Sequence, residues 1–124
     1  MNNSHPLVSI VDDDESVRES LPDLLKAFGF SSDTYSSAED FLALGNLSKT
    51  QCLILDVGMP GMTGPELHRE LVRRGQDIPI VFITAQKDET IRPRLLQQGA
   101  VECLFKPFSD SDLQEALSTA LSEP

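Results

Sequence analysis

Three consecutive carboxylates, Asp12, Asp13 and Asp14, follow the apolar run LVSIV and stand directly before a helical pattern. Neighbouring carboxylates repel, so a chain that clusters them either leaves them in water or holds a cation. Asp56 closes the apolar run CLILD, Thr84 closes IPIVFIT, and Lys106 follows VECLF. Gathered around one crevice, these side chains would place carboxylates, a hydroxyl and an ammonium together. Two unit charges about 4 Å apart interact by roughly 4 kcal/mol at an effective dielectric of 20, so the acidic group alone would strain a fold. A cation is therefore expected, and magnesium suits the donors: it takes hard oxygen ligands, keeps several waters, and is held by one or two carboxylates plus a phosphate. Zinc would call for His or Cys, and His5 and His68 lie far along the chain from these positions. Beside such a cation Asp56 can act as a nucleophile on phosphorus to give an aspartyl phosphate. Lys106 would balance the phosphoryl charge and Thr84 would donate a hydrogen bond.

Each residue alone has a plainer reading. An Asp before a helix is commonly an N-cap, which accounts for Asp14 as the start of helix one. A Lys before Pro is ordinarily a solvated loop residue, and a Thr at a strand end is ordinarily structural. What those readings leave unexplained is the combination of Asp12, Asp13, Asp56, Thr84 and Lys106 at strand ends.

The elements that must bring them together follow a βα rhythm, in which short apolar runs alternate with amphipathic stretches five times. Strands are expected at 7–11, 32–36, 52–56, 78–84 and 101–105. The first, third and fourth are nearly unbroken apolar runs and belong inside the sheet, whereas SDTYS is polar and belongs at an edge. Helix one is expected over 16–28 with Val17, Leu21, Leu24, Leu25 and Phe28 on its apolar face. Helix two opens at Ser36, Ser37, Ala38 and Glu39, which read as a capping box; helix three follows Gly64-Pro65 and ends at Gly75. Helix four carries Ile91, Leu95 and Leu96 and contains Pro93, which must sit in the first turn or kink the helix; helix five starts at Ser109 with Asp112 three residues on. Right-handed crossovers and a polar second strand give the order 2-1-3-4-5, an α/β, doubly wound, five-stranded parallel sheet of flavodoxin-like (βα)5 type. Ligands of such sheets bind beyond the carboxyl ends of the strands where the winding reverses, between strands one and three.

Composition narrows the function. The chain has 124 residues, 40% of them hydrophobic, enough for a single core. Twenty Asp and Glu against ten Lys and Arg give a formal charge of -10, a poor match to a polyphosphate, so no direct nucleic-acid binding is expected of this segment. Cys52 and Cys103 sit in apolar runs without metal-ligand spacing and read as buried thiols of a reducing cytosol. No window approaches the roughly 20 apolar residues of a membrane span, and MNNSHP has no signal-peptide character, so a soluble cytoplasmic protein without membrane contact is expected.

The motifs VDDDESVR, LILDVGMPGMTGPEL, VFITAQ and LFKPF resemble those of the response-regulator receiver domain of two-component signalling, and the resemblance covers nearly the whole chain. The wording around DVGMPGMTG and GAVECLFKPF is most similar to receivers that precede a LuxR-type helix-turn-helix domain, as in the nitrogen-fixation regulators. The resemblance implies a single receiver domain over 1–124, with 1–5 a flexible tail and 122–124 the start of a linker. It implies that Asp56 accepts a phosphoryl group from a sensor histidine kinase. Asp13, Asp56 and the backbone carbonyl of Gly58 would ligate magnesium, with Asp12 helping through water. Thr84, the Ala85 amide and Lys106 would hold the phosphoryl oxygens, and the Lys106-Pro107 bond would be cis. Helix one, with Val17, Ser20, Leu21 and Leu24, would offer part of the kinase surface, although spacing equally assigns its apolar residues to the core. The face of helix four, strand five and helix five would switch association, with a phosphorylation-dependent homodimer as one outcome and control of transcription as the end. Such a protein is a switch that catalyses only its own phosphorylation and dephosphorylation.

The sequence departs from the family pattern at Cys103, where receivers commonly carry an aromatic residue that moves with the strand-four Thr. Phe105 lies two residues on, on the same side of a strand, and is the candidate replacement. Gly58 leaves the phosphoryl pocket open, and it and Gln86 occupy the positions that tune phosphoryl lifetime in the family. Two alternatives stand beside the switch: a phosphorylation-independent binding module, and a magnesium-dependent phosphatase using an aspartyl phosphate, against which DVGMP lacks a second Asp two residues past Asp56.

Overall fold

The computed structural model describes residues 5–122, so residues 1–4 of the expected tail and 123–124 of the expected linker lie outside the described part; His5 and Ser122 are exposed. The strands are β1 (Leu7–Val11), β2 (Ser31–Tyr35), β3 (Thr50–Asp56), β4 (Ile80–Thr84) and β5 (Glu102–Phe105). The helices between and after them are α1 (Glu15–Ala27), α2 (Ala38–Leu44), α3 (Gly64–Arg73), α4 (Ile91–Gln97) and α5 (Asp110–Leu121). All pairings are parallel and the order is β2-β1-β3-β4-β5, the expected doubly wound arrangement. The apolar strands lie inside because both of their faces are covered, and β2, whose residues are mostly exposed, takes the edge.

Alternation along the strands builds two cores. Val11, Leu53, Leu55, Phe82 and Cys103 meet Phe41 of α2, Leu67 and Leu71 of α3, and Leu95 of α4. On the other side Val8, Ile10, Cys52, Ile54, Val81 and Ile83 meet Leu21 and Leu25 of α1 and Leu113 and Leu117 of α5. Clamped from both sides, the central strands hold their carboxyl ends at fixed relative positions.

Most expected elements differ from the observed ones by one or two residues, each for a local reason. β4 begins at Ile80 rather than 78 because Pro79 lacks an N–H for the ladder, although its carbonyl still accepts from Leu53 N at 2.9 Å. Asp14 caps α1, its carboxylate accepting from Ser16 N at 2.9 Å, and α1 runs through Pro22, which leaves the Arg18 carbonyl without its i+4 donor. Pro93 sits in the first turn of α4, where its missing N–H costs nothing. The capping box read at Ser36 to Glu39 is not formed in that way: Ser37 is the cap, accepting from Asp40 N at 3.0 Å, and Glu39 turns away to another element. A full capping box forms instead at Thr63 and Glu66, ahead of α3.

Candidate functional site

The carboxyl ends of β1, β3, β4 and β5 converge on one rim. β1 hands over to Asp12 and Asp13, β3 ends in Asp56, β4 in Thr84, and Lys106 follows β5. In the sheet register Val11 stands beside Leu55, Asp56 beside Ile83, and Thr84 beside Phe105. The Val57 N–H donates to Ile83 O at 3.0 Å and the Lys106 N–H to Thr84 O at 2.8 Å, so the ladder continues past the strand ends and carries the site residues with it.

Carboxylate oxygens of Asp12, Asp13 and Asp56 lie within 4.8 Å of one another. Asp12 is wholly buried and Asp56 is 6% exposed, while Asp13 faces water, so the cluster has a dry floor and one open side. Lys106 Nζ donates to Asp12 Oδ2 at 3.0 Å, the Asp14 N–H donates to Asp12 Oδ1 at 2.9 Å, and Arg18 Nη1 donates to the Asp12 carbonyl at 2.9 Å. The first two donors compensate the Asp12 carboxylate. Asp56 has less relief: burial first, then the Asp12 charge, pushes its carboxyl up to about 7 despite the opposing pull of Lys106. An all-oxygen donor set, partly dry and short of positive charge, suits a hard divalent cation with retained waters.

Thr84 is 1% exposed, and its hydroxyl accepts the Gln86 N–H at 3.0 Å. Ala85 and Gly58 are exposed. The space a Cβ on Gly58 would fill is bordered by the Gln86 side-chain amide, whose Nε2 would be 3.6 Å away. The Lys106-Pro107 bond is cis. Cys103 is buried in the core facing α4, with its thiol pushed up to about 11 by burial and by Glu102, and Phe105 is half-buried at the end of the same strand. On α1, Leu21 is buried and Val17 and Leu24 are half-buried against the α5-side core, yet all line an open groove between α1 and Pro107 and Phe108. Core and groove readings therefore share those residues.

The structure thus brings Asp12, Asp13, Asp56 and Lys106 together and sets Thr84, Ala85, Gly58 and Gln86 around the same rim. Two supporting residues carry no sequence signal that isolates them. Arg18 reaches back six positions to the Asp12 carbonyl, and Glu39 bonds the loop between β3 and α3.

Residues 8–118 match the family model of the response regulator receiver domain. Response regulator protein TmoT of Ectopseudomonas mendocina is 40% identical over 122 residues, 98% of this chain and 55% of that protein. Transcriptional regulatory protein FixJ of Azorhizobium caulinodans is 36% identical over 114 residues, 92% of this chain and 54% of its own. Among solved structures, the response regulator StyR superposes with a TM-score of 0.87 at 43% identity, covering 96% of this chain and 60% of that one. The chain spans about half the length of the curated relatives it matches.

Proposed function

Because the chain belongs to the response-regulator receiver family, we propose that it is the phosphoacceptor of a two-component relay, with Asp56 taking a phosphoryl group from a phosphohistidine of a sensor kinase. As a receiver domain it is a signalling switch rather than a classical enzyme. The observation that carries the reading is the placement of Asp56 at the end of a central strand, its carboxylate within 4.8 Å of those of Asp12 and Asp13.

An Asp56 oxygen attacks phosphorus, the P–N bond of the phosphohistidine breaks, and its electron pair returns to the imidazole. Attack needs the carboxylate form: burial and the Asp12 charge raise Asp56 to about 7 even with Lys106 nearby, and a bound cation would lower it. Asp13, Asp56 and the Gly58 carbonyl would hold magnesium, with Asp12 acting through water; once bound, the ion supplies positive charge against the phosphoryl oxygens. Lys106 is already at the rim, 3.0 Å from Asp12, and would share its charge with those oxygens. The Thr84 hydroxyl and the Ala85 N–H would donate to them, and bare Gly58 leaves the approach open.

The receiver unit is taken as residues 1–124. The surface of α4, β5 and α5 would change its association, as a homodimer or against an output domain, and so control transcription; the name of FixJ as a transcriptional regulatory protein supports that end. Val17, Ser20, Leu21 and Leu24 beside Pro107 would form part of the kinase contact. The switch would work in the cytoplasm, where such relays exchange phosphoryl groups. Among the described residues no helix is long and apolar enough to cross a membrane.

Intact mass after incubation with an acyl phosphate, with and without magnesium, tests the reading. The native chain should gain one phosphoryl group only with magnesium, and Asp56→Asn should gain none. No gain from the donor or from any histidine kinase would leave the phosphorylation-independent module as the better account.

A further inference from the structure

The loop from β3 to α3, residues 57–63, would bring the Gly58 carbonyl to the cation. At its base the Gly64 N–H donates to Val57 O at 3.0 Å, and the Met59 side chain is buried in the core. The Thr63 N–H is taken by Glu66 Oε1 at 2.9 Å within the α3 capping box. Between these points the chain turns through Gly61, at φ +74°, and the Met62 N–H leaves the loop to meet Glu39 Oε2 at 2.8 Å.

Glu39 belongs to the first turn of α2. Its carboxylate occupies the space beside Gly61, where a Cβ would stand 2.7 Å from Glu39 Oε2. Gly61 therefore serves two needs, since a side chain there would be strained by the backbone and would displace the carboxylate. The contact spans 23 residues of sequence and ties α2 to the loop through a charged acceptor, the stronger kind of hydrogen bond.

We propose that Glu39 is a positioning residue for the cation site: by holding the Met62 N–H it sets the course of the loop and with it the direction of the Gly58 carbonyl. The inference rests on the reading of the acidic cluster as a magnesium site. Without the strut the loop samples more conformations, and magnesium binding must bear the cost of ordering it. Glu39 also carries charge, which would favour any nearby cation without positioning anything, and the two effects call for opposite variants. Glu39→Gln keeps an acceptor oxygen at the same reach and loses the charge. Glu39→Asp keeps the charge and falls short by one methylene.

Magnesium binding to the full chain, by calorimetry, decides between them, with hydrogen exchange of the Met62 amide as a second readout. A strut predicts that Glu39→Gln loses less affinity than Glu39→Asp and Glu39→Ala, which weaken by roughly three- to tenfold with faster Met62 exchange. Native-like binding in Glu39→Asp with loss in Glu39→Gln would overturn the proposal in favour of charge alone, as would equal affinity in all variants. If Glu39→Ala fails to fold, the other two variants still settle the order. Asp13→Asn serves as the reference: a native chain that binds no magnesium, or binds it equally without Asp13, would remove the underlying reading and the strut with it, whereas loss in Asp13→Asn alone would sink only the strut.

Discussion

Replacing Asp56 by asparagine should make the metal-free protein more stable above pH 7, although it removes a buried residue of the site. The Asp56 carboxyl is raised from the ordinary 3.8 to about 7, by burial first and by the Asp12 charge second. A raised folded-state value means that the fold favours the protonated form. The contribution of this group is then fully present below about pH 4 and is lost as pH rises through about 7. At about 1.4 kcal/mol per pH unit the full difference would reach roughly 4 kcal/mol. The open side at exposed Asp13 lets solvent screen the charge, so about 1–2 kcal/mol is the working expectation. Asparagine has the shape of the protonated acid and cannot ionise. Urea unfolding in chelator at pH 5 and pH 8, for native and Asp56→Asn, measures the change in their difference and cancels the other carboxylates. The gap should widen toward pH 8 in favour of the variant, with a rise in Tm of roughly 3–5 °C per kcal/mol. Magnesium at ten times its Kd should return about 1.4 kcal/mol to the native chain and much less to the variant. A gap that does not depend on pH, or a variant less stable than native at pH 8, would refute the account of Asp56 as a strained carboxylate.

The same electrostatics predict that Asp13→Asn weakens magnesium binding, read by calorimetry, while leaving urea stability unchanged or slightly higher, because an exposed member of a repelling trio is neutralised. Unchanged affinity would remove Asp13 from the site. Gly64→Ala should cost about 2–4 kcal/mol in urea unfolding, because a Cβ there would collide with the Asp56 carbonyl oxygen and stand 3.1 Å from the Phe82 ring. A near-neutral effect would show that the end of β3 can shift, and with it Asp56.

How far the site can be read from the chain follows from which interactions are periodic. Apolar runs of four to seven residues and the spacing of Leu21, Leu25, Leu113 and Leu117 are imposed by burial, so they appear in sequence as patterns and yield the strand order. Once that order is known, the strand ends must converge, which is why Asp12, Asp56, Thr84 and Lys106 can be grouped from types alone. The choice of partner within the group is not periodic. Lys106 stands on Asp12, 94 residues away, and Asp56 is left as the carboxylate with the raised affinity for protons, a division that depends on side-chain reach and burial. Glu39 shows the limit most clearly. Ser36 to Glu39 satisfies a local capping rule, yet Ser37 and Asp40 satisfy the helix end without it, which frees Glu39 for an amide on a different element. A local rule names the donors a carboxylate can reach along its own helix, and it is blind to a bare amide that the fold carries in from a loop 23 residues later. The capping box at Thr63 and Glu66 is the opposite case: Thr63-Gly64-Pro65-Glu66 fits the same local rule and is legible in the chain, although Gly64-Pro65 alone already places the start of α3. Residues that shape the core are thus legible through repetition, whereas residues that aim the site act once each and become visible only when the distance between elements is known.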